Sequence, residues 1–431
     1  MAERIQLGEL AARGSLLVND GYRTRADELG LPGIPVLRVA EVQDGRLTPT
    51  FGDHVLERYR AKIGGKVSQP GDVVVTTKGT VGRTARVPAG SPDFVYSPQV
   101  CFFRSLDDTV DCRWLYYWFK GPEFIAQAAG VQSQTDMAAY INLADMRAMR
   151  MSLPAPDQQR AIAATLGAMD DKIESNRQII EIAHKLAAAH CQSILGRDGH
   201  SWTESWPTCR LEAVLAELEV GKRPIGGIKN EEDGIPSIGA ESIVEAGSFN
   251  FSKTKLIPTP YFAAMARGRI KHLDVLLYKD GGTPGNFVPH VSAVGHGFPF
   301  SIAAINEHVY RIRVTQPYTQ AFLYFWFSSP RMDIEMRQRG TGAAIPGLNS
   351  SAVRDLPLLQ PPEHLLTKIQ GLLDPLLDLI LQSAKVSRRS SQLRDALLPE
   401  LLSGRIGGLE VSPAVDPALV GRTACGRSAV S

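Results

Sequence analysis

Leu115-Tyr116-Tyr117-Trp118-Phe119 and Leu323-Tyr324-Phe325-Trp326-Phe327 are nearly the same aromatic cluster, 208 residues apart. Working outward, Leu166 to Ile173 is answered by Leu373 to Ile380, an offset of 207. Gly33-Ile34-Pro35 is answered by Gly234-Ile235-Pro236, an offset of 201. Matches in fixed order over such a distance mean two copies of one unit, and each copy ends in a long helix.

Leu153-Pro154-Ala155-Pro156-Asp157 is a stop followed by a helix start, with Asp157 in the first turn. From there to Ile194 no proline intervenes. Ile162, Leu166, Met169, Ile173, Ile180, Ala183, Leu186/Ala187 and Ile194 recur at steps of three, four and seven. About 38 residues of helix would be roughly 57 Å long, too long for one globular core. Pro361-Pro362-Glu363 opens a second rod with apolar steps at Ile369, Leu373, Leu376/Leu377, Ile380, Leu393, Leu397 and Leu401. Two rods of equal period pack most simply against each other, antiparallel, around a pseudo-twofold axis. The expected class is α+β: two similar globular domains joined by two long antiparallel coiled-coil helices. The expected division is a first head at 1–153, a helix at 154–196, a linker at 197–205, a second head at 206–357, a helix at 358–406 and a disordered tail at 407–431. Within the heads, Val73-Val74-Val75 and Val100-Cys101-Phe102-Phe103 read as strands between Gly- and Pro-rich turns.

Composition sets limits. The chain has 431 residues, 44% hydrophobic and 21% charged, as in a globular protein of two or three domains. Its net charge of +2 excludes a gross cationic coat, so any nucleic-acid contact must come from local charge. Cys101, Cys112, Cys191, Cys209 and Cys425 are scattered and odd in number, which indicates no zinc site or disulfide framework and fits a reducing cytoplasm. Met1 to Leu10 has no apolar core, so no signal peptide is expected, and no apolar run is long enough to span a membrane. There is no P-loop and no Asn/Asp-Pro-Pro-aromatic tetrapeptide; Gln360-Pro361-Pro362-Glu363 lacks both end residues. His290 and His296 read as surface residues rather than metal ligands, and no metal site is expected.

The order head, long helix, head, long helix resembles the specificity subunit of type I restriction-modification enzymes, over about residues 1–406. Leu153 to Ile162 looks like that family's Pro-rich, Gln-containing helix opening, and Leu397 to Ile406 looks like its C-terminal signature. Gly71-Asp72-Val73-Val74-Val75, then Lys78-Gly79-Thr80-Val81-Gly82-Arg83, is similar to the strand and glycine loop of its target-recognition domains. The second copy keeps Asp274-Val275-Leu276-Leu277, alters the loop to Asp280-Gly281-Gly282-Thr283-Pro284-Gly285, and has Pro362-Glu363-His364 where the first has Gln158-Gln159. The resemblance implies a chain without chemistry of its own. Each head would read half of a bipartite DNA target. The helices would set the spacing and dock two methyltransferase subunits, with motor-nuclease (restriction) subunits as further partners. No cofactor would be bound here; S-adenosylmethionine would sit on the methyltransferase.

Reading bases requires donors and acceptors at base edges and anchors on phosphates. Three pairs of polar loops supply them. Arg23 and Arg25 match Lys222 and Arg223. Thr77, Lys78 and Arg83 match Lys279, Thr283 and Asn286. Gln132 and Gln134, ahead of Asn142, match Arg337 and Arg339, ahead of Asn349. The two asparagines read as helix caps. Ile162, Leu166, Met169, Ile173, Ile180, Ile369, Leu373, Leu377, Ile380, Leu397 and Leu401 are the coiled-coil or partner-docking positions. The alternative is a two-headed protein-interaction scaffold with no salt-sensitive DNA affinity.

Overall fold

The computed structural model describes residues 3–132, 140–224, 233–283, 285–340, 342 and 346–407. The chain divides into two compact units, residues 1–170 with 392–431 and residues 171–391. The expected tail lies outside the described residues, Gly407 apart.

The repeat is a repeat of topology. In the first head Leu16–Asp20, Val100–Ser105, Val73–Thr76 and Thr84–Arg86 lie side by side in that order, all antiparallel. In the second, Leu215–Val220, Val309–Val314, Val275–Tyr278 and Val291–Ala293 do the same. The repeated Gly-Ile-Pro marks the centre of a smaller sheet. Gly33–Leu37 pairs antiparallel with His54–Leu56 and parallel with Val95–Tyr96. Ile235–Ile238 pairs the same two ways with Lys255–Ile257 and Ala304–Ile305. Val73-Val74-Val75 is apolar throughout because both faces are covered. Val73 and Val75 join the core under the aromatic helix, whereas Val74 packs with Tyr96 and Phe102. At the end of each first sheet strand the chain passes so close to a carbonyl that only glycine fits. A methyl on Gly21 would lie 2.0 Å from the Ser97 oxygen, and one on Gly221 would lie 1.8 Å from the Ile305 oxygen.

The aromatic clusters form short buried helices, Cys112–Trp118 and Gln320–Phe327, each laid on its sheet. Asp111 and Thr319 cap them through their side-chain oxygens. Each cap is tied to a long helix by one buried glutamine. Gln159 Oε1 accepts the Asp111 N–H at 2.8 Å, and its Nε2 donates to the Thr109 oxygen. Gln370 Oε1 accepts the Thr319 N–H at 2.8 Å, and its Nε2 donates to the Pro317 oxygen. The second copy lacks the opening glutamine because Gln370 does its work two turns into the helix.

The long helices run Pro156–Leu195 and Glu363–Leu402, 40 residues each, or about 60 Å. In the first unit Ile162 and Leu166 share a core with Leu401, while Asp170 meets Arg394 at 2.6 Å, so the two segments run antiparallel. In the second unit Ala183, Ala187, Cys191 and Leu195 share a core with Ile369, Leu373, Leu377 and Ile380. Met169, Ile173, Ile180 and Leu397 are half-buried. Of the pair Leu186/Ala187, Ala187 is the buried one. One seam position is corrected: Leu393 is 52% exposed. Leu393 follows Ile380 by 13 residues, which carries it about 220° around an α-helix.

Candidate nucleic-acid interface

The four-stranded sheet brings the predicted loops of the first head to one end. Leu16–Asp20 and Val73–Thr76 finish there, and Thr84–Arg86 and Val100–Ser105 begin there. The loops are stitched to each other by backbone. Gly21 N–H donates to the Val100 oxygen, Thr77 N–H to the Gln99 oxygen and Ile141 N–H to the Thr77 oxygen, all within 3.0 Å. Lys78 bridges to Tyr140. The glycine turn closes on itself: Gly82 N–H donates to the Thr76 oxygen, and Gly79 and Gly82 take positive φ, +81° and +89°.

On this frame Arg23, Arg25 and Lys78 are exposed and Arg83 is half-buried. The Thr77 side chain is buried and unavailable to a ligand. The Gln132 side chain and Gln134 lie outside the described residues. Arg83 also lines a cleft of about 420 Å³ with Phe119 and Phe124.

The second head repeats the stitching: Lys279 N–H donates to the His308 oxygen and Leu348 N–H to the Lys279 oxygen. Asp280 bridges to Gly347, as Lys78 does to Tyr140. These bonds correct the pairing of loops by one residue. Lys279 occupies the place of Thr77, and the place of Lys78 is held by an acid, Asp280. Lys279 Nζ lies 2.7 Å from Asp280, and His308 Nδ1 is bonded to the same carboxylate. His308 Nε2 is 3.3 Å from Glu307, which also pairs with Arg223. Thus Arg223 and Lys279, from two separate predicted loops, end in one network with both charges answered. Burial pushes the Asp280 carboxyl up, but hydrogen bonds from Lys279 and His308 outweigh it and hold the group below its ordinary value.

Lys222, Thr283 and Asn286 are exposed. Thr283 and Asn286 face each other in a small hairpin. Arg337 pairs with Asp333 at 2.6 Å and donates to the Phe287 oxygen. Arg339 pairs with Glu335 at 3.0 Å and donates to the Asp355 oxygen, so both arginines are engaged inside the head. Asn142 and Asn349 are caps, accepting the Asp145 and Ala352 N–H at 2.8 Å. Among the described residues no group of three or more His, Cys, Asp or Glu is placed to hold a metal ion. No helix among them is long and apolar enough to cross a membrane.

Sequence reading missed Asp280 and Glu307, which answer Lys279 and Arg223, and His308, which joins the two carboxylates. It also missed Lys62 and Lys66 beside Arg23 and Arg25. Their signal was available: two lysines four residues apart around Gly64-Gly65, in an otherwise near-neutral chain.

Residues 6–184 match the family model described as type I restriction modification DNA specificity domain, which takes in the first head and most of the first long helix. A curated relative, the type I restriction enzyme MjaIX specificity subunit of Methanocaldococcus jannaschii, is 23% identical over 357 residues, covering 76% of this chain and 78% of its own. The crystal structure of a type I restriction-modification S subunit from M. genitalium superposes with a TM-score of 0.55 at 15% identity, over 93% of this chain and 96% of that one. It shares the fold. With the doubled sheet topology and the two long helices, these matches make residues 6–184 a type I restriction modification DNA specificity domain and the chain as a whole similar to type I restriction-modification specificity subunits.

Proposed function

We propose that this chain is the non-catalytic DNA-reading subunit of a type I modification complex, in which each head reads one half of a bipartite target. The observation that carries it is the repeated sheet end. The same strands and the same backbone hydrogen bonds present loops of different charge, Lys78 in one head and Asp280 in the other. One frame with different edges suits two different half-sites. The chain brings no cofactor; S-adenosylmethionine is carried by two methyltransferase partners, and a motor-nuclease subunit completes a restriction complex.

The long helices act as spacer and docking surface. At about 60 Å each exceeds one DNA turn of roughly 34–36 Å. Ile162, Leu166, Ile369, Leu373, Leu377, Ile380 and Leu401 are buried in the chain's own cores, which leaves them no surface for a partner. Docking falls instead to exposed apolar side chains such as Ile182, Leu186, Leu379 and Val386.

The deciding experiment is to express the chain with its methyltransferase partner and map the modified bases. A bipartite, gapped motif is expected; methylation irrespective of sequence sinks the proposal. Within that assay Lys78→Ala should relax or weaken one half of the motif only, by about 1–3 kcal/mol of discrimination. Equal loss at both halves would refute head-by-head reading. Removing seven residues from each long helix should shorten the gap and leave both halves unchanged; an unchanged gap argues against the spacer role.

A further inference from the structure

We propose that the basic cavity beside Tyr22 in the first head seats a phosphodiester of the DNA backbone, fixing the duplex in place without reading its sequence. This deepens the DNA-reading proposal and rests on it.

The cavity has a volume of about 410 Å³ and is lined by Tyr22, Arg23, Arg25, Lys62, Ile63 and Lys66. Two carboxylates hold its lysines in place. Glu28, with its side chain only 2% exposed, bonds Lys62, and Asp20 lies 2.8 Å from Lys66 Nζ. Glu28 is itself pinned by the Tyr22 hydroxyl at 3.0 Å and the Arg25 N–H at 3.1 Å. The Lys62 ammonium, then the Arg25 N–H, hold the Glu28 carboxyl down at about 2, so it stays ionised. The two arginines are different. Both are exposed, and among the described residues neither guanidinium has an acidic or hydrogen-bonded partner. Four cations therefore face two carboxylates, and the net charge of +2 resides on the two groups free to move onto a ligand.

That chemistry selects a phosphate. Guanidinium groups bind phosphate oxygens bidentately, and a cavity already holding net positive charge attracts one. Position identifies the source. Gly21 N–H bonds the Val100 oxygen and Tyr22 N–H the Tyr96 oxygen, which puts the cavity on the same sheet end as Lys78. A duplex laid across Lys78 would run its backbone past Arg23 and Arg25. The second head is built otherwise. Among the described residues there, Lys222 is exposed but Arg223 is paired with Glu307, and the helix Thr259–Ala264, which follows the matching edge strand, has no Lys or Arg. The first head should therefore supply more of the sequence-independent affinity.

The test uses the full chain assembled with its methyltransferase partner, titrated with target and unrelated duplexes across a salt series. Arg23→Ala/Arg25→Ala is expected to weaken both duplexes by the same factor, about tenfold or more. It should lower the slope of log affinity against log salt by about 1–2, and leave the methylated motif unchanged. Arg23→Lys/Arg25→Lys should keep most of the slope and the same motif. An unchanged slope in the alanine variant overturns the proposal. So does an altered motif in either variant, which would make the arginines base readers. Inorganic phosphate titrated into the chain alone separates the remaining source: tight binding of free phosphate, with the DNA slope unmoved by the alanine variant, also overturns it. Failure of the DNA-reading proposal itself would show earlier, as an unmodified complex with no preference between the two duplexes.

Discussion

Asp72→Ala is expected to destabilise the first unit by about 3–5 kcal/mol, the cost of removing one partner from a buried ion pair. Asp72 is 1% exposed and receives four hydrogen bonds. Arg104 gives two, both at 2.7 Å; the buried Tyr96 hydroxyl gives one at 2.6 Å; the Gln69 N–H gives one at 2.9 Å. Burial and the neighbouring Asp72 carboxylate push the Tyr96 phenol up, so it remains a donor. With alanine, Arg104 keeps the Val67 oxygen and the face of Phe102, and the Tyr96 hydroxyl loses its acceptor. The matching change, Asp274→Ala, should cost less, about 1–3 kcal/mol. There Arg311 retains Glu219 at 2.8 Å and also Glu217, and Arg313 retains the His272 oxygen. Denaturant unfolding, followed with hydrogen exchange at the Val73–Val75 amides, measures the difference. A loss below about 1 kcal/mol for Asp72→Ala would mean that the pair contributes little.

Trp326→Ala should destabilise the second unit by about 3–5 kcal/mol, the range for emptying a buried aromatic site. Trp326 is fully buried and packs edge-on to Trp202, with ring centroids 5.6 Å apart. Its Nε1–H donates to the Pro357 oxygen at 2.8 Å, which ties the aromatic helix to the strand leading into the second long helix. Alanine opens a cavity and orphans that carbonyl, whereas Trp326→Phe refills most of the cavity and should recover about half the loss. In the methylation assay the alanine variant should lose selectivity at one half of the motif before the other. Calorimetry that finds both variants equally stable would contradict this account of the core.

How much of this was legible in the sequence follows from the range of each interaction. The starts of the long helices were readable because their signals are local, Pro156 and Asp157 at one and Pro362 and Glu363 at the other, whereas the second helix spans Glu363–Leu402 rather than the expected 358–406. The caps Asn142 and Asn349 were readable for the same reason, since each bonds an N–H three residues on. Strand order was not readable. Val73–Thr76 lies between Val100–Ser105 and Thr84–Arg86 through pairings that no local pattern encodes. Nor was the role of Gln370, which replaces Gln159 from a different turn of a different helix.

Two copies of one head, a long helical rod after each and an aromatic cluster recurring in both are legible in the chain alone. Periodicity and repetition are properties of the chain, and burial follows them. Which of the paired cations stay available to a ligand depends on contacts that form only on folding. Arg23, Arg25 and Lys78 face solvent, while Arg223 and Lys279 are answered by Glu307 and Asp280. A cation is free or spent according to the carboxylates folded against it, and Glu307 reaches Arg223 only because strand pairing brings distant stretches of chain to the same sheet end.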